Sequence, residues 1–95
     1  MNEIEYINAS LEKSNLILKK FKLLMKNNYS IVDKKTINVA NELISHLKFT
    51  YSYTNNDIIS LMNSYSSDEE IIKELGGSEN ASFISNSVKN ILKED

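Results

Sequence analysis

The stretch KKTINVANELISHLKFTYSY, residues 34–53, decides the fold. Its apolar side chains recur in steps of three and four residues, which is the spacing of one face of an α-helix. They are Ile37, Ala40, Ile44, Leu47 and Tyr51, with Val39 and Leu43 widening the face. Asp33 precedes the stretch at an N-cap position, and the pair Asn55-Asn56 behind it is typical of a turn. The spacing therefore predicts one helix over the whole stretch.

The end of this helix has an alternative structure. From Leu47 to Tyr53, apolar or aromatic residues alternate with Lys48, Thr50 and Ser52, which is the period of a β-strand in residues of high β-propensity. A single strand would need a partner for its hydrogen bonds, and no other segment offers one. A helix end is therefore favoured over a short strand.

The composition is that of a single folded domain covering residues 1–95. Hydrophobic residues make up 41 % of the 95 residues and charged residues 25 %, which is ordinary for a globular protein. There is no cysteine, so disulfides and thiolate metal sites are excluded. Proline is absent and only two glycines occur, at Gly76-Gly77, which favours an all-helical chain.

The sequence predicts a cytoplasmic protein. No segment approaches the roughly 20 consecutive apolar residues that a membrane span needs. The first residues, Met1 to Glu5, also lack the basic and then apolar order of a signal peptide.

Charge is unevenly distributed. Residues 1–29 contain five lysines and three glutamates, whereas residues 57–95 contain three lysines and eight acids. All eleven cationic residues are lysines, so the side chain best suited to bidentate contacts with guanine or phosphate is missing. A nucleic-acid partner is therefore disfavoured.

Residues 4–25 predict a long amphipathic first helix that ends at Asn27-Asn28. Its apolar side chains keep a three-four spacing, and we expect this face to be used entirely for the core. The face contains Ile4, Ile7, Leu11, Leu18, Phe21 and Met25, with Ser14 in the series and Ile17 and Leu24 beside it. Most lysines lie off this face. A basic amphipathic helix can also be a membrane-surface or calmodulin-type segment, but a bundle helix with a solvated lysine face is favoured.

Three shorter helices follow in the prediction. The third starts at Asp57, with Asn55 or Asn56 as its cap, and Ser67 to Glu70 has the pattern of a capping box for the fourth. Gly76-Gly77 ends the fourth helix, and Ser78 or Asn80 caps the last one. The predicted buried positions of these helices are Ile58, Leu61, Met62, Tyr65, Ile71, Ile72, Leu75, Ile84, Val88, Ile91 and Leu92, with Phe83 beside the last face.

These segments together predict an all-α fold, an antiparallel bundle of four to five helices.

The sequence offers no catalytic, cofactor or metal motif. His46 is the only histidine, and Glu42 is the only carboxylate within one helical turn of it. The acidic residues from Asp68 to Glu74 lie at a helix N-terminus, where the helix dipole accounts for them. Gly76-Gly77 follows a helix instead of a strand, unlike a phosphate-binding loop. We therefore expect a protein that is not an enzyme and needs no cofactor or metal.

One local resemblance is to a DNA-binding unit. The segment EIIKELG, residues 70–76, resembles the first helix and turn of LuxR-type helix-turn-helix regulators, and residues 78–80 with 88–92 resemble the helix that enters the groove. The chain departs from that pattern by extra residues between Gly76 and Ile84. Residues 68–93 contain three lysines and five acids, which weakens any attraction to phosphate.

A second resemblance covers more of the chain. The segment LISHLKFTYSYTNN, residues 43–56, with a polar amphipathic helix that ends at Leu75-Gly76, is similar to the pediocin-like (class IIa) bacteriocin immunity proteins. The resemblance implies a cytoplasmic four-helix bundle that protects the producing cell from a secreted peptide. It also implies binding to a sugar-transporting membrane receptor with its bound bacteriocin, and a C-terminal half that decides which toxin is blocked.

Immunity through a protein partner is thus the favoured function. The alternatives are a small helix-turn-helix regulator and a mobile-element inhibitor that blocks a host enzyme through its acidic half. Recognition is expected in residues 57–95, because short helices open more readily and present more varied shapes. The predicted partner-binding residues are Tyr51, Tyr53, Lys73, Phe83 and Lys89.

Overall fold

The computed structural model describes residues 2–93 of the chain. Five α-helices follow one another: α1 (Glu3–Lys26), α2 (Lys34–Tyr51), α3 (Asn55–Ser64), α4 (Glu69–Glu74) and α5 (Ser78–Leu92). Within residues 2–93 there is no strand. The protein is an all-α bundle, as the sequence predicts, and the alternative of a short strand from Leu47 to Tyr53 is wrong.

Helix α1 is only partly used for the core. Its buried residues are Ile17, Phe21 and Leu24, all in the second half. Nearer the N-terminus, the side chains of Ile4, Ile7 and Leu11 are 71 %, 49 % and 53 % exposed. The prediction that α1 uses its whole apolar face for the core is therefore wrong.

The reason lies in how α2 approaches the first half of α1. There the two helices meet through polar contacts: Ser10 Oγ lies 2.9 Å from the Tyr51 hydroxyl, and Ser14 Oγ lies 2.8 Å from His46 Nε2. Ser10 and Ser14 thus occupy the side of α1 that faces α2, and Ile4, Ile7 and Leu11 lie at its edge or beyond it, where they stay exposed.

Helix α2 begins where the sequence predicts and ends two residues early. Asp33 occupies the N-cap position, but its carboxylate accepts a hydrogen bond from the Ser30 amide at 2.7 Å and does not cap the helix. Ser52 follows the helix with a φ of 58°, the left-handed conformation that commonly ends helices. The predicted end at Tyr53 is therefore wrong, because the helix ends at Tyr51, and Ser52 and Tyr53 lie outside it.

The cap of α3 is Thr54, so the predicted caps Asn55 and Asn56 and the predicted start at Asp57 are wrong. Thr54 Oγ1 accepts from the Asp57 amide at 3.2 Å, and Asp57 Oδ2 accepts from the Thr54 amide at 2.9 Å. This reciprocal pair is a capping box. Hydrogen bonds from the backbone and side chain of Thr54 hold the pKa of Asp57 below its usual value.

The predicted capping box from Ser67 to Glu70 is not formed. Asp68 caps α4 instead, because its Oδ1 accepts from the Glu70 amide at 3.0 Å and from the Ile71 amide at 3.3 Å. The Ser67 hydroxyl instead donates to the carbonyl of Asn63, near the end of α3, at 3.2 Å.

This assignment predicts different effects for two neighbouring substitutions. Asp68→Ala should lower the free energy of unfolding by about 1 kcal/mol, because it leaves two amides at the helix start without a partner. Ser67→Ala should change it by less than about 0.5 kcal/mol, since the residue is exposed. Urea unfolding at neutral pH measures both variants, and an equal loss in the two would contradict Asp68 as the cap.

Helix α5 is the centre of the bundle. It packs against α1, α2, α3 and α4, whereas the other helices have fewer neighbours. It starts directly after Gly77, so the predicted caps Ser78 and Asn80 are wrong, and no side chain caps it. Its buried residues are Asn80, Ala81, Ile84, Ser85, Ser87 and Val88.

The main core joins this helix to its neighbours. The Ser85 hydroxyl donates to the Met62 carbonyl of α3 at 3.0 Å, and Phe21 of α1 meets Phe83 edge-to-face with ring centroids 6.2 Å apart. The buried core consists of Ile17, Phe21, Ala40, Leu43, Ile44, Leu47, Ile58, Met62, Ile84 and Val88.

Candidate functional site

The end of the bundle where α1 begins and α2 ends is rich in aromatic side chains. We call it the aromatic end and define it by Tyr6, Phe49, Tyr51 and Tyr53. Phe49 is 95 % exposed, and Tyr6 and Tyr51 are about half exposed at 49 % and 44 %. A phenylalanine that is almost fully solvated gains free energy when a partner buries it, so this end is a candidate for binding a partner.

The turn after α2 arranges the two tyrosines. Because Ser52 is left-handed, the chain reverses and the rings of Tyr51 and Tyr53 approach with centroids 5.6 Å apart. Tyr51 remains at the surface, and its hydroxyl pairs with Ser10 on α1. Tyr53 is half-buried and packs against the core. Burial, with Tyr53 nearby, raises the pKa of Tyr65 behind it.

His46 connects the first two helices beneath the aromatic end. Its Nε2 lies 2.8 Å from Ser14 Oγ on α1, and its Nδ1 lies 3.2 Å from Thr50 Oγ1 one turn along α2. The ring is only 2 % exposed. A serine beside a histidine can act as a nucleophile and base, but here the orienting group is a neutral hydroxyl and the imidazole is covered. We interpret this network as a structural link between α1 and α2.

The link predicts that the protein loses stability in mild acid. Burial, with a smaller effect of the Lys13 charge, lowers the pKa of His46 below its ordinary value. The unfolded chain therefore binds the proton more readily than the folded one, and the free energy of unfolding should fall as the pH drops below about 6.5.

Urea unfolding between pH 7.5 and pH 5.5 measures this effect. The variant His46→Gln serves as the control, because its amide can bond to the same hydroxyls without titrating. Its unfolding free energy should change less over this range. An equal pH dependence in the variant would assign the effect to other groups.

A shallow cleft lies beside Phe49. Its volume is about 260 Å³, and its walls are formed by α1 and the last turns of α2. The lining residues are Tyr6, Ala9, Ser10, Lys13, His46, Phe49 and Thr50. The walls thus combine apolar surface with hydroxyl groups and one cationic side chain, which suits a mixed apolar and polar partner.

The first half of α1 carries a second exposed apolar surface. Ile4, Ile7 and Leu11 share one face of the helix, and none of them lines the cleft beside Phe49. All large exposed apolar side chains within residues 2–93 belong to residues 4–51. The expectation that recognition lies in residues 57–95 assumed that α1 spends its apolar face on the core, and this assumption is wrong.

The predicted partner-binding residues do not form one cluster. Tyr51 and Tyr53 are in contact at the aromatic end. Phe83 is half-buried against Phe21, Lys73 is exposed in the last turn of α4, and Lys89 is half-buried in α5. The role of these residues in binding stays a prediction.

Sequence reasoning missed Phe49 as a surface residue. Its position does not fit the three-four series that contains Ile44, Leu47 and Tyr51, and this mismatch is a signal of outward orientation. The exposure of the first half of α1 had no such signal, because its stripe is as regular as that of the buried half.

Other kinds of site are less well supported. Within residues 2–93, no group of three or more histidine or acidic side chains could hold a metal ion. None of the helices in this part of the chain has the combined length and apolar character to cross a membrane. Helix α5, the recognition helix of the helix-turn-helix resemblance, is the central core helix. Its well-exposed positions in the first three turns are Ser78, Glu79, Ser82 and Asn86, which give it no cationic surface for phosphate.

Comparisons with protein-family models, curated proteins and solved structures each find no match to this chain.

Proposed function

We propose that this protein is an immunity protein of the pediocin-like bacteriocin type, which acts in the cytoplasm by binding a protein partner through its aromatic end. The observation that carries the proposal is Phe49, whose side chain is 95 % exposed beside Tyr6. An isolated exposed leucine would be unremarkable, but a solvated phenylalanine within a larger apolar surface is typical of an interaction site.

The composition of the aromatic end supports a protein partner. Aromatic residues are enriched in the energetic centres of protein interfaces because their rigid rings bury much area and lose little entropy. Two of the tyrosine hydroxyls at this end have partners within the protein, since Tyr6 donates to the Thr50 carbonyl at 3.4 Å and Tyr51 pairs with Ser10. These two rings are thereby held in place before binding, which lowers the entropic cost of association.

The resemblance supplies the identity of the partner. In pediocin-like immunity proteins, the target is a sugar-transporting membrane receptor with its bound bacteriocin. A helical segment of that complex would fit the cleft beside Phe49, because an apolar helix face and a partly apolar groove are complementary.

Expression in a sensitive strain tests the proposal. Cells that make this protein should survive one or a few members of a panel of pediocin-like bacteriocins, measured as the minimal inhibitory concentration. Phe49→Ala should reduce the protection by about tenfold or more, as expected for an aromatic anchor of an interface. Circular dichroism of the purified variant should be unchanged, because Phe49 contributes little to the core.

The matched control is Asn41→Ala, which shortens an exposed side chain near the middle of α2, outside the aromatic end. This variant should protect as well as the parent. Failure of the parent protein to protect against any member of the panel would reject immunity. Full protection by Phe49→Ala would reject the aromatic end as the binding surface.

A chimera separates this surface from the one that the resemblance implies. Residues 57–95 of this protein can be replaced by the corresponding part of a known pediocin-like immunity protein. If the aromatic end selects the toxin, protection should keep the specificity of residues 1–56. If the chimera instead protects against the toxin of the protein that donated residues 57–95, toxin selection lies in the C-terminal half and not in the aromatic end.

A further inference from the structure

Positive charge is concentrated in one continuous segment. Residues 13–35 contain seven lysines and a single acid, Asp33, which gives this segment a net charge of +6. The whole chain has a net charge of −2, so the remainder carries −8. Such separation creates a strong field at the surface formed by the second half of α1, the following loop and the start of α2.

The lysines alternate with exposed leucines on the outer side of α1. Leu16, Lys19, Leu23 and Lys26 are separated by three, four and three residues, so they form one stripe along the helix. The two leucines are 58 % and 59 % exposed. Both lysines are exposed. The stripe is rotated away from the buried residue Phe21, and it is therefore an amphipathic surface that the core does not use.

The loop after α1 continues this surface. Val32 is 64 % exposed, and Lys35 Nζ lies 3.2 Å from the Tyr29 hydroxyl and 5.4 Å from the centre of its ring. Between the loop and the two helices lies an open groove of about 690 Å³. Its lining residues are Lys20, Leu23, Leu24, Asn27, Tyr29, Lys35, Asn38 and Val39.

Glu12 lies in one cleft with Lys19, and Glu74 lies in another with Lys19 and Lys22, but neither acid forms an ion pair with these lysines. The only ion pair within residues 2–93 joins Lys20 to Glu42, at 3.0 Å. Lys19, Lys22 and Lys26 are exposed and have no carboxylate within salt-bridge distance among the described residues. These cations remain available to an external anionic surface.

We propose that this surface, which we call the lysine face and define by Leu16, Lys19, Lys22, Leu23, Lys26 and Val32, docks on an anionic lipid membrane. Lysines around exposed aliphatic side chains match a lipid surface in two ways. The ammonium groups pair with anionic headgroups, and the leucines and valine enter the boundary between headgroups and acyl chains. The half-buried Tyr29 beside them has the apolar body and polar tip favoured at this depth.

The chemistry favours lipid over other polyanions. A nucleic acid would select arginine for its phosphates and bases and would gain nothing from the exposed leucines, whereas this chain has no arginine. The docking is peripheral and does not depend on the immunity proposal. Tyr6 and Leu16 are the nearest members of the two surfaces on α1 and lie 10 residues apart, about 15 Å along the helix, so the lysine face and the aromatic end are separate surfaces.

Vesicle flotation tests the docking with the purified full-length protein. The protein should float with vesicles that contain phosphatidylglycerol and not with pure phosphatidylcholine. Binding should weaken when the salt concentration is raised from about 0.05 to 0.5 M, because salt screens the attraction between lysines and headgroups. Absence of binding to phosphatidylglycerol vesicles at low salt would overturn the proposal.

Two variants with equal net charge locate the binding surface. Changing Lys19, Lys22 and Lys26 to glutamate should reduce vesicle binding by more than about tenfold. Changing Lys48, Lys73 and Lys93 to glutamate alters the net charge equally but lies outside the lysine face, so it should reduce binding much less. Circular dichroism confirms that both variants are folded, and equal losses in the two would overturn the assignment.

A third variant tests the apolar contribution. Replacement of Leu16 and Leu23 by serine should weaken binding at every salt concentration, because it removes a contribution that salt does not screen. Unchanged binding in this variant would show that the attraction is purely electrostatic. It would overturn the proposal that the leucines insert into the membrane. Tighter binding to a duplex oligonucleotide than to phosphatidylglycerol vesicles would also overturn the proposal, since it would identify a nucleic acid as the partner.

Discussion

Replacement of Phe21 by alanine should lower the free energy of unfolding by about 3 to 5 kcal/mol, which is the largest single effect that we expect in this protein. The side chain is 1 % exposed and belongs to the main core. It also makes the edge-to-face contact with Phe83 that ties α1 to α5. Alanine would remove this contact and leave a cavity that the surrounding helices can fill only in part.

Phe49→Ala is the matched control for this prediction. It deletes the same atoms from a side chain that is 95 % exposed, so the free energy of unfolding should change by less than about 0.5 kcal/mol. Urea unfolding followed by circular dichroism measures both variants at one pH. A loss below about 1 kcal/mol for Phe21→Ala would show that α1 is not anchored to the core through this residue.

The second large effect should come from the turn between α4 and α5. Gly76 has a φ of 91°, and a Cβ atom at this position would lie 2.7 Å from Asn80 Nδ2. Gly76→Ala should therefore lower the free energy of unfolding by about 2 to 3 kcal/mol, since backbone strain and a steric clash add. Gly77→Ala should cost about 1 to 3 kcal/mol through backbone strain alone, because only glycine readily adopts its φ of 112° and ψ of 171° but nothing lies within 4 Å of the added atom.

A double variant separates the two causes. Asn80 is 7 % exposed, and its Oδ1 has no hydrogen-bond partner in the protein. In the Asn80→Ala background, Gly76→Ala should lose the steric part of its cost and keep only the part due to backbone strain. An unchanged cost of Gly76→Ala in that background would show that backbone strain alone determines the effect.

The helices themselves were predictable because their side-chain periods are regular. Leu43 and Leu47, predicted from the spacing in α2, are 3 % and 6 % exposed and belong to the core. The end of α1 at Asn27-Asn28 and the glycine turn before α5 are also confirmed. In these places, local spacing and turn chemistry favour the same structure.

The errors arise where several neighbouring residues could perform the same role. Ser67 and Asp68 can both cap a helix, as can Thr54 and the two asparagines behind it, and only the backbone geometry selects one. The exposure of the α1 stripe depends on which helices reach it, which is a property of the whole bundle. Only part of the aromatic end could be predicted. Tyr51 and Tyr53 are near each other in sequence, but Tyr6 in the first turns of α1 is far from both and joins them only in the folded protein.

The central position of α5 has a consequence for how the protein is made. A ribosome adds about 5 to 20 residues per second and produces α5 after the other four helices. Those helices cannot bury their apolar faces fully while they emerge, because each of them packs against α5. The nascent chain is thus exposed to chaperones and proteases until its last segment is free. Folding should then be completed in one late, cooperative step in which the first and last helices meet.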